Sequence, residues 1–73
     1  MRLTIATWNI NSVRLRIDLV ERFLRTWQPD LLCLQETKCA NDAFPRRAFE
    51  AMGYPHQAIN GQKGYHGVAT LSR

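Results

Sequence analysis

The chain is predicted to be α/β: a strand, a helix and a second strand in sequence, followed by a β-hairpin. Three observations predict it. The opening segment is rich in β-branched and aromatic residues, the stretch from Ile17 to Trp27 has the period of one helical face, and two later strand-like runs flank a turn with two glycines. A strand–helix–strand unit calls for parallel strands joined by a right-handed crossover.

Each element has its own local cause. Met1 to Asn9 reads as a strand, with one early charge but neither the apolar core nor the small-residue cleavage site of a targeting segment. Ile17, Val20, Phe23, Leu24 and Trp27 then recur at helical spacing, while Asp18/Arg22 and Glu21/Arg25 form acid-first pairs one turn apart. Asp18 suits the positive end of that helix. Gln28-Pro29-Asp30 stops it, because the residue before a proline is pushed out of the α region. Leu31 to Gln35 is a short apolar run between turn signals, as in a strand buried on both faces. Thr37 to Pro45 reads as loop, Arg46 to Met52 as a short helix stopped at Gly53, and Tyr54 to Ile59 as a third strand. Asn60 to Gly64 reads as the turn, and Val68 to Ser72 as the fourth strand, paired with the third.

Composition narrows the classes of function. The 73 residues carry ten Lys/Arg against six Asp/Glu, a net charge of +4, and the pI is near 9.7, which favours a polyanionic partner such as nucleic acid. No run approaches the roughly 20 apolar residues of a membrane span. Two cysteines, Cys33 and Cys39, are too few for a disulfide scaffold, so free thiols in the cytoplasm are expected. A chain this short has little core of its own and no evident staple, so it reads as a domain cut short after its fourth strand.

Parallel strands joined by a crossover end on the same edge of a sheet, where α/β folds bind ligands. That edge should gather Asn9, Asn11, Glu36 and Lys38. An amide oxygen beside a carboxylate is a hard donor set suited to Mg²⁺. On spacing alone, a turn-forming Asn and a solvated Glu are the better reading. Gln62-Lys63-Gly64-Tyr65-His66-Gly67 places a cation and an aromatic ring in a hairpin, as a phosphate- and sugar-contacting loop requires. Here too the plainer reading, Lys63 solvated and Tyr65 packed on the sheet, is favoured by the residues alone. With Arg14 and Arg16, these lysines would form a basic rim. Other chemistries are unsupported: Cys33, Cys39, His56 and His66 lack zinc spacing, Gly64 and Gly67 precede a strand rather than a helix, and Cys39 reads as a surface spectator.

Taken together, the motifs resemble a known family. Trp8-Asn9-Ile10-Asn11-Ser12-Val13-Arg14, Leu34-Gln35-Glu36-Thr37-Lys38 and Gly61-Gln62-Lys63-Gly64-Tyr65-His66-Gly67-Val68-Ala69 resemble, in order, three motifs of the exonuclease III family of apurinic/apyrimidinic endonucleases. These belong to the endonuclease/exonuclease/phosphatase superfamily. Phe44-Pro45 and Met52-Gly53-Tyr54 are also similar, so the resemblance covers essentially the whole chain. It implies that residues 1–73 are the N-terminal portion of one two-layered α/β sandwich.

The resemblance further implies a Mg²⁺-dependent DNA repair nuclease, with Mn²⁺ as an alternative ion. It would hydrolyse phosphodiesters 5′ to abasic sites in duplex DNA and trim 3′ ends in the 3′ to 5′ direction. Asn9 and Glu36 look like its two N-terminal metal-site residues, with Glu36 the direct ligand and Asn11 nearby. Arg14, Lys38, Lys63, Gly64 and Tyr65 look like its DNA contacts. His66 departs from the family pattern and receives no role. The later catalytic residues of the family have no counterpart here, so the 73-residue chain alone is expected to be inactive and marginally folded. The protein is expected to be a cytoplasmic, bacterial monomer with no membrane partner. Two other readings stay open: a small basic nucleic-acid-binding module without catalysis, and a phosphatase or phosphodiesterase of the same superfamily.

Overall fold

A computed structural model describes residues 2–73; Met1, included in the predicted first strand, lies outside them. The order of elements is β1 (Ile5–Asn9), α1 (Ile17–Trp27), β2 (Leu31–Gln35), a 3₁₀ turn (Asn41–Ala43), α2 (Arg46–Ala51), β3 (His56–Gln62) and β4 (Tyr65–Ser72). The four strands form one sheet in the order β1-β2-β4-β3. β1 and β2 are parallel, with Ile5 opposite Leu31 and Asn9 opposite Gln35. β4 lies antiparallel to both β2 and β3. The hairpin therefore folds back so that its second strand, not its first, joins β2.

The predicted helix α1 matches the observed one residue for residue, and it docks through Val20 and Leu24, both buried. Trp8 of β1 meets Phe23 of α1 with ring centroids 5.4 Å apart, fastening helix to strand. Trp27, the last member of the predicted stripe, occupies the terminal turn and is 68% exposed, so the buried stripe ends at Leu24. Of the two predicted acid–base pairs, Glu21–Arg25 forms at 3.1 Å, whereas Asp18 and Arg22 form no ion pair among the described residues. Gln28, left-handed at φ 48°, closes the helix as its N–H bonds the Leu24 carbonyl.

The strand boundaries move for identifiable reasons. β1 starts at Ile5 because its ladder partner starts at Leu31; Thr4 instead bonds the Asp30 turn, its N–H donating to Asp30 Oδ2 at 2.8 Å. β3 starts at His56, after Pro55, and runs through Asn60 and Gly61 to Gln62. The predicted five-residue turn thus shrinks to Lys63-Gly64. Gly61 sits at a register shift between Asn60 and Gln62, where a Cβ would collide with the Cys39 carbonyl. There glycine serves a close backbone approach rather than a turn.

One face of the sheet is covered. Leu32, Leu34, Ala69 and Leu71 point into a core with Val20, Leu24, Phe44, Phe49 and Tyr54. Phe44 and Phe49 stack at 5.5 Å, and the buried Tyr54 hydroxyl donates to the Pro29 carbonyl at 2.6 Å. The other face carries Ile5, Cys33 and Val68, with Ile5 58% and Val68 53% exposed. β2 is therefore buried on one face and half-buried on the other, not buried on both as its apolar run suggests. Among the described residues no helix is long and apolar enough to cross a membrane.

Phe49 is fully buried at the centre of this core. Replacing it by alanine is expected to cost about 3–5 kcal/mol in the intact protein, read from urea denaturation. A loss below about 1 kcal/mol would mean that α2 does not pack as described.

Candidate active site

The parallel register sets the site. Asn9 and Gln35 are partners at the last rung, and the Ile10 N–H continues the ladder to the Gln35 carbonyl at 2.9 Å. Beyond this rung both chains turn sharply. Of the six non-glycine residues with positive φ among the described residues, five lie here: Asn11 (47°), Ser12 (82°), Glu36 (55°), Lys38 (54°) and His66 (60°). Left-handed backbone costs such residues of order 1–2 kcal/mol each, and it persists where surrounding structure enforces it. The enforcement is visible in the hydrogen bonds. Ser12 N–H bonds the Glu36 carbonyl at 2.9 Å, Val13 N–H the Thr37 carbonyl at 3.1 Å, Thr37 N–H the Gly67 carbonyl at 3.2 Å, and Lys38 N–H the His66 carbonyl at 2.8 Å.

Asn9, Asn11, Glu36 and Lys38 meet at this edge. The Asn9 amide donates to Glu36 Oε2 at 2.6 Å, and Lys38 Nζ donates to Asn11 Oδ1 at 2.6 Å. Lys38 Nζ also lies 3.9 Å from Glu36 Oε1, with the Glu36 side chain 47% exposed. Asn11 does not continue the strand in phase with Asn9, as its sequence parity suggests. It reaches the site from the turn, through the lysine.

The hairpin overhangs the same edge. Val68 is opposite Gln35, and β4 runs antiparallel to β2, so Tyr65 to Gly67 extend past the end of β2 alongside residues 36–38. Lys63 and Gly64 form the tip. Tyr65 is 59% exposed, its ring edge-on to His66 at 5.0 Å, rather than packed on the sheet. Arg14 is exposed and, with Ser12, Leu15 and Lys38, lines a shallow cleft beside the carboxylate. Neither Arg14 nor Lys63 forms an ion pair among the described residues. The larger cavity lies elsewhere, between α1 and α2 against Met52 and Tyr54, and contains none of these residues.

Two residues differ from their sequence reading. Thr37, given no role, is 2% exposed and is the buried polar residue among those described. Its place between two charged residues hides it: only the αL backbone on either side turns Glu36 and Lys38 outward and Thr37 inward. Cys39 is no surface spectator, being 4% exposed. Burial raises its thiol pKa, partly offset by the positive charge of Arg14.

A sequence profile of the Endonuclease/Exonuclease/phosphatase family matches residues 6–73. The chain belongs to that family. Among its relatives, exodeoxyribonuclease III of Haemophilus influenzae is 43% identical over 67 residues, which cover 92% of this chain and 25% of the relative. An AP endonuclease from Archaeoglobus fulgidus superposes with a TM-score of 0.92 at 46% identity, over 97% of this chain and 27% of that one. A Neisseria 3′ phosphatase, NExo, bound to a product DNA hairpin, superposes with a TM-score of 0.93 at 44% identity, over 99% and 28%. The chain thus spans about a quarter of the length of the relatives it matches.

The thiolate, not the thiol, is the nucleophile, so a buried thiol of raised pKa is doubly protected. At pH 8 iodoacetamide is expected to modify the half-buried Cys33 before Cys39, with Cys39 reacting only after unfolding, as read by mass spectrometry. Equal labelling rates would contradict the described burial.

Proposed function

We propose that these residues form part of a single catalytic domain of a DNA repair nuclease that hydrolyses DNA phosphodiesters with a divalent cation. The observation that carries the reading is the Asn9–Glu36 contact of 2.6 Å at the edge where β1 and β2 end, beneath a hairpin bearing Lys63 and Tyr65. Identities of 43–46% to exodeoxyribonuclease III and to an AP endonuclease support it.

The donor chemistry fits Mg²⁺, which commonly takes one or two carboxylates and retains several waters. Glu36 offers a half-exposed carboxylate to the ion, and the Asn9 amide fixes that carboxylate's orientation. Among the described residues no group of three His, Cys, Asp or Glu is gathered to hold a metal, so water and other groups would supply the remaining coordination. When bound, the ion supplies positive charge against the phosphate oxygens as charge develops there. Mn²⁺ satisfies the same hard donors. Lys38, tethered to Asn11, holds a second positive charge near the same phosphate. Arg14, Lys63, Gly64 and Tyr65 bind the DNA strand, the cations by phosphate contact and the tyrosine by packing on sugar or base. Abasic sites in duplex DNA and 3′ ends are the proposed substrates.

A second reading differs in the bond cut. The 44% identity to a 3′ phosphatase bound to a product DNA hairpin supports removal of a 3′ phosphate from DNA. The two are separated by comparing turnover of an abasic duplex with that of a nicked duplex ending in a 3′ phosphate.

In the intact protein, Glu36→Gln is expected to lower Mg²⁺-dependent turnover of the preferred DNA substrate by more than about 100-fold, beyond the loss typical of a ligand's supporting partner. DNA binding should survive, measured by fluorescence anisotropy. Undiminished turnover would remove Glu36 from the site. Tighter DNA binding, with no cleavage by either protein, would instead identify a non-catalytic binding module.

A further inference from the structure

Glu36 and Lys38 project from left-handed positions, at φ 55° and 54°, on either side of a single buried residue. Nothing in a carboxylate or an ammonium favours that conformation; the backbone hydrogen bonds around it and the residue packed beneath hold it together. Thr37 is the residue underneath. Its backbone is tied on both sides, its carbonyl to Val13 in the turn after β1 and its N–H to Gly67 at the start of β4. Its Oγ1 fills the space that a side chain on Gly67 would occupy, since a Cβ there would collide with it. Gly67 has φ +99°, closed to ordinary side chains on conformational grounds as well. The same Oγ1 lies 3.5 Å from where a Cβ on Gly61 would stand. Asn41 holds Gly61 in place, its Oδ1 accepting the Gly61 N–H at 2.7 Å.

These contacts form one device. Gly67 removes the side chain that would fill the hollow, and the threonine side chain takes its place. If Thr37 moved outward, the backbone at Glu36 and Lys38 would be free to relax from the left-handed region. The Asn9–Glu36 contact of 2.6 Å and the Lys38–Glu36 approach of 3.9 Å would then be lost together. We propose that Thr37, wedged against Gly67, is a positioning residue that aims the Glu36 carboxylate and the Lys38 ammonium at the same point. This rests on the reading of Glu36 as the cation-binding carboxylate.

The test is made in the intact protein with Thr37→Ala, Thr37→Ser and Glu36→Gln side by side. Mg²⁺ affinity is measured by isothermal titration without DNA, and turnover as a function of Mg²⁺ and of DNA. Misaiming a ligand through its support typically costs about 10–100-fold in metal affinity or activity. Thr37→Ala is expected to weaken Mg²⁺ binding by about 10-fold and to lower kcat, with KM for DNA within about twofold. Thr37→Ser, which keeps the oxygen that faces Gly67, is expected to restore most of both. Because serine preserves the wedge at little packing cost, it remains informative even where alanine fails to fold.

The inference is overturned if Glu36→Gln weakens Mg²⁺ binding while Thr37→Ala only lowers the melting temperature, leaving Mg²⁺ affinity and kcat unchanged. It is also overturned if serine behaves like alanine in both. If Glu36→Gln itself leaves Mg²⁺ binding and turnover untouched, the underlying functional reading fails first, and this inference with it.

Discussion

β2 is bonded on both edges, parallel to β1 and antiparallel to β4, and the rest of the structure depends on that double pairing. A strand with neighbours on both sides has its backbone groups satisfied within the sheet, so it can be the most buried part of a small core. Leu32 and Leu34 are accordingly 0% and 1% exposed. The pairing also fixes direction. Because β1 runs with β2 and β4 runs against it, the end of β1, the end of β2 and the start of β4 arrive at one edge. A register shift of one residue in the β1–β2 ladder would swap the buried and exposed sides of a strand and take Asn9 away from Glu36.

At that edge the chain departs from regular structure in a concentrated way. Left-handed residues are uncommon outside glycine, yet five of them fall within two turns and the hairpin start. Each is crossed by a backbone hydrogen bond from another segment or adjoins a residue that is. The backbone there is thus held by hydrogen bonds to neighbouring segments, with Thr37 buried between two of the left-handed residues. The result is a half-exposed carboxylate with an amide at 2.6 Å and an ammonium at 3.9 Å, held by the chain's own backbone. Such an arrangement is what electrostatic and metal-assisted chemistry requires.

The opposite face of the sheet has another character. Helices α1 and α2 pack on the face that carries Leu32, Leu34, Ala69 and Leu71. Ile5, Cys33 and Val68 stand on the uncovered one. The relatives that this chain matches are about four times its length.

Much of this was legible from the residues in order. The spacing of Ile17, Val20, Phe23 and Leu24 determined α1 and its ends, because helix periodicity and a following proline are local properties. The run Leu31 to Gln35 determined β2, and the strand–helix–strand order was enough to place Asn9 and Glu36 on one edge. What required the tertiary structure was everything set by contact between distant segments. Whether Gly61 lies in a turn or a strand depends on the Cys39 carbonyl against it, and whether Cys39 is exposed depends on the hairpin that covers it. The insertion of β4 between β2 and β3 follows the core, to which β4 gives the buried Ala69 and Leu71 and β3 only the partly buried Ile59. Thr37 is the plainest case: its neighbours in sequence are charged and part-exposed, and the glycine at position 67, far along the chain, leaves it room to point inward.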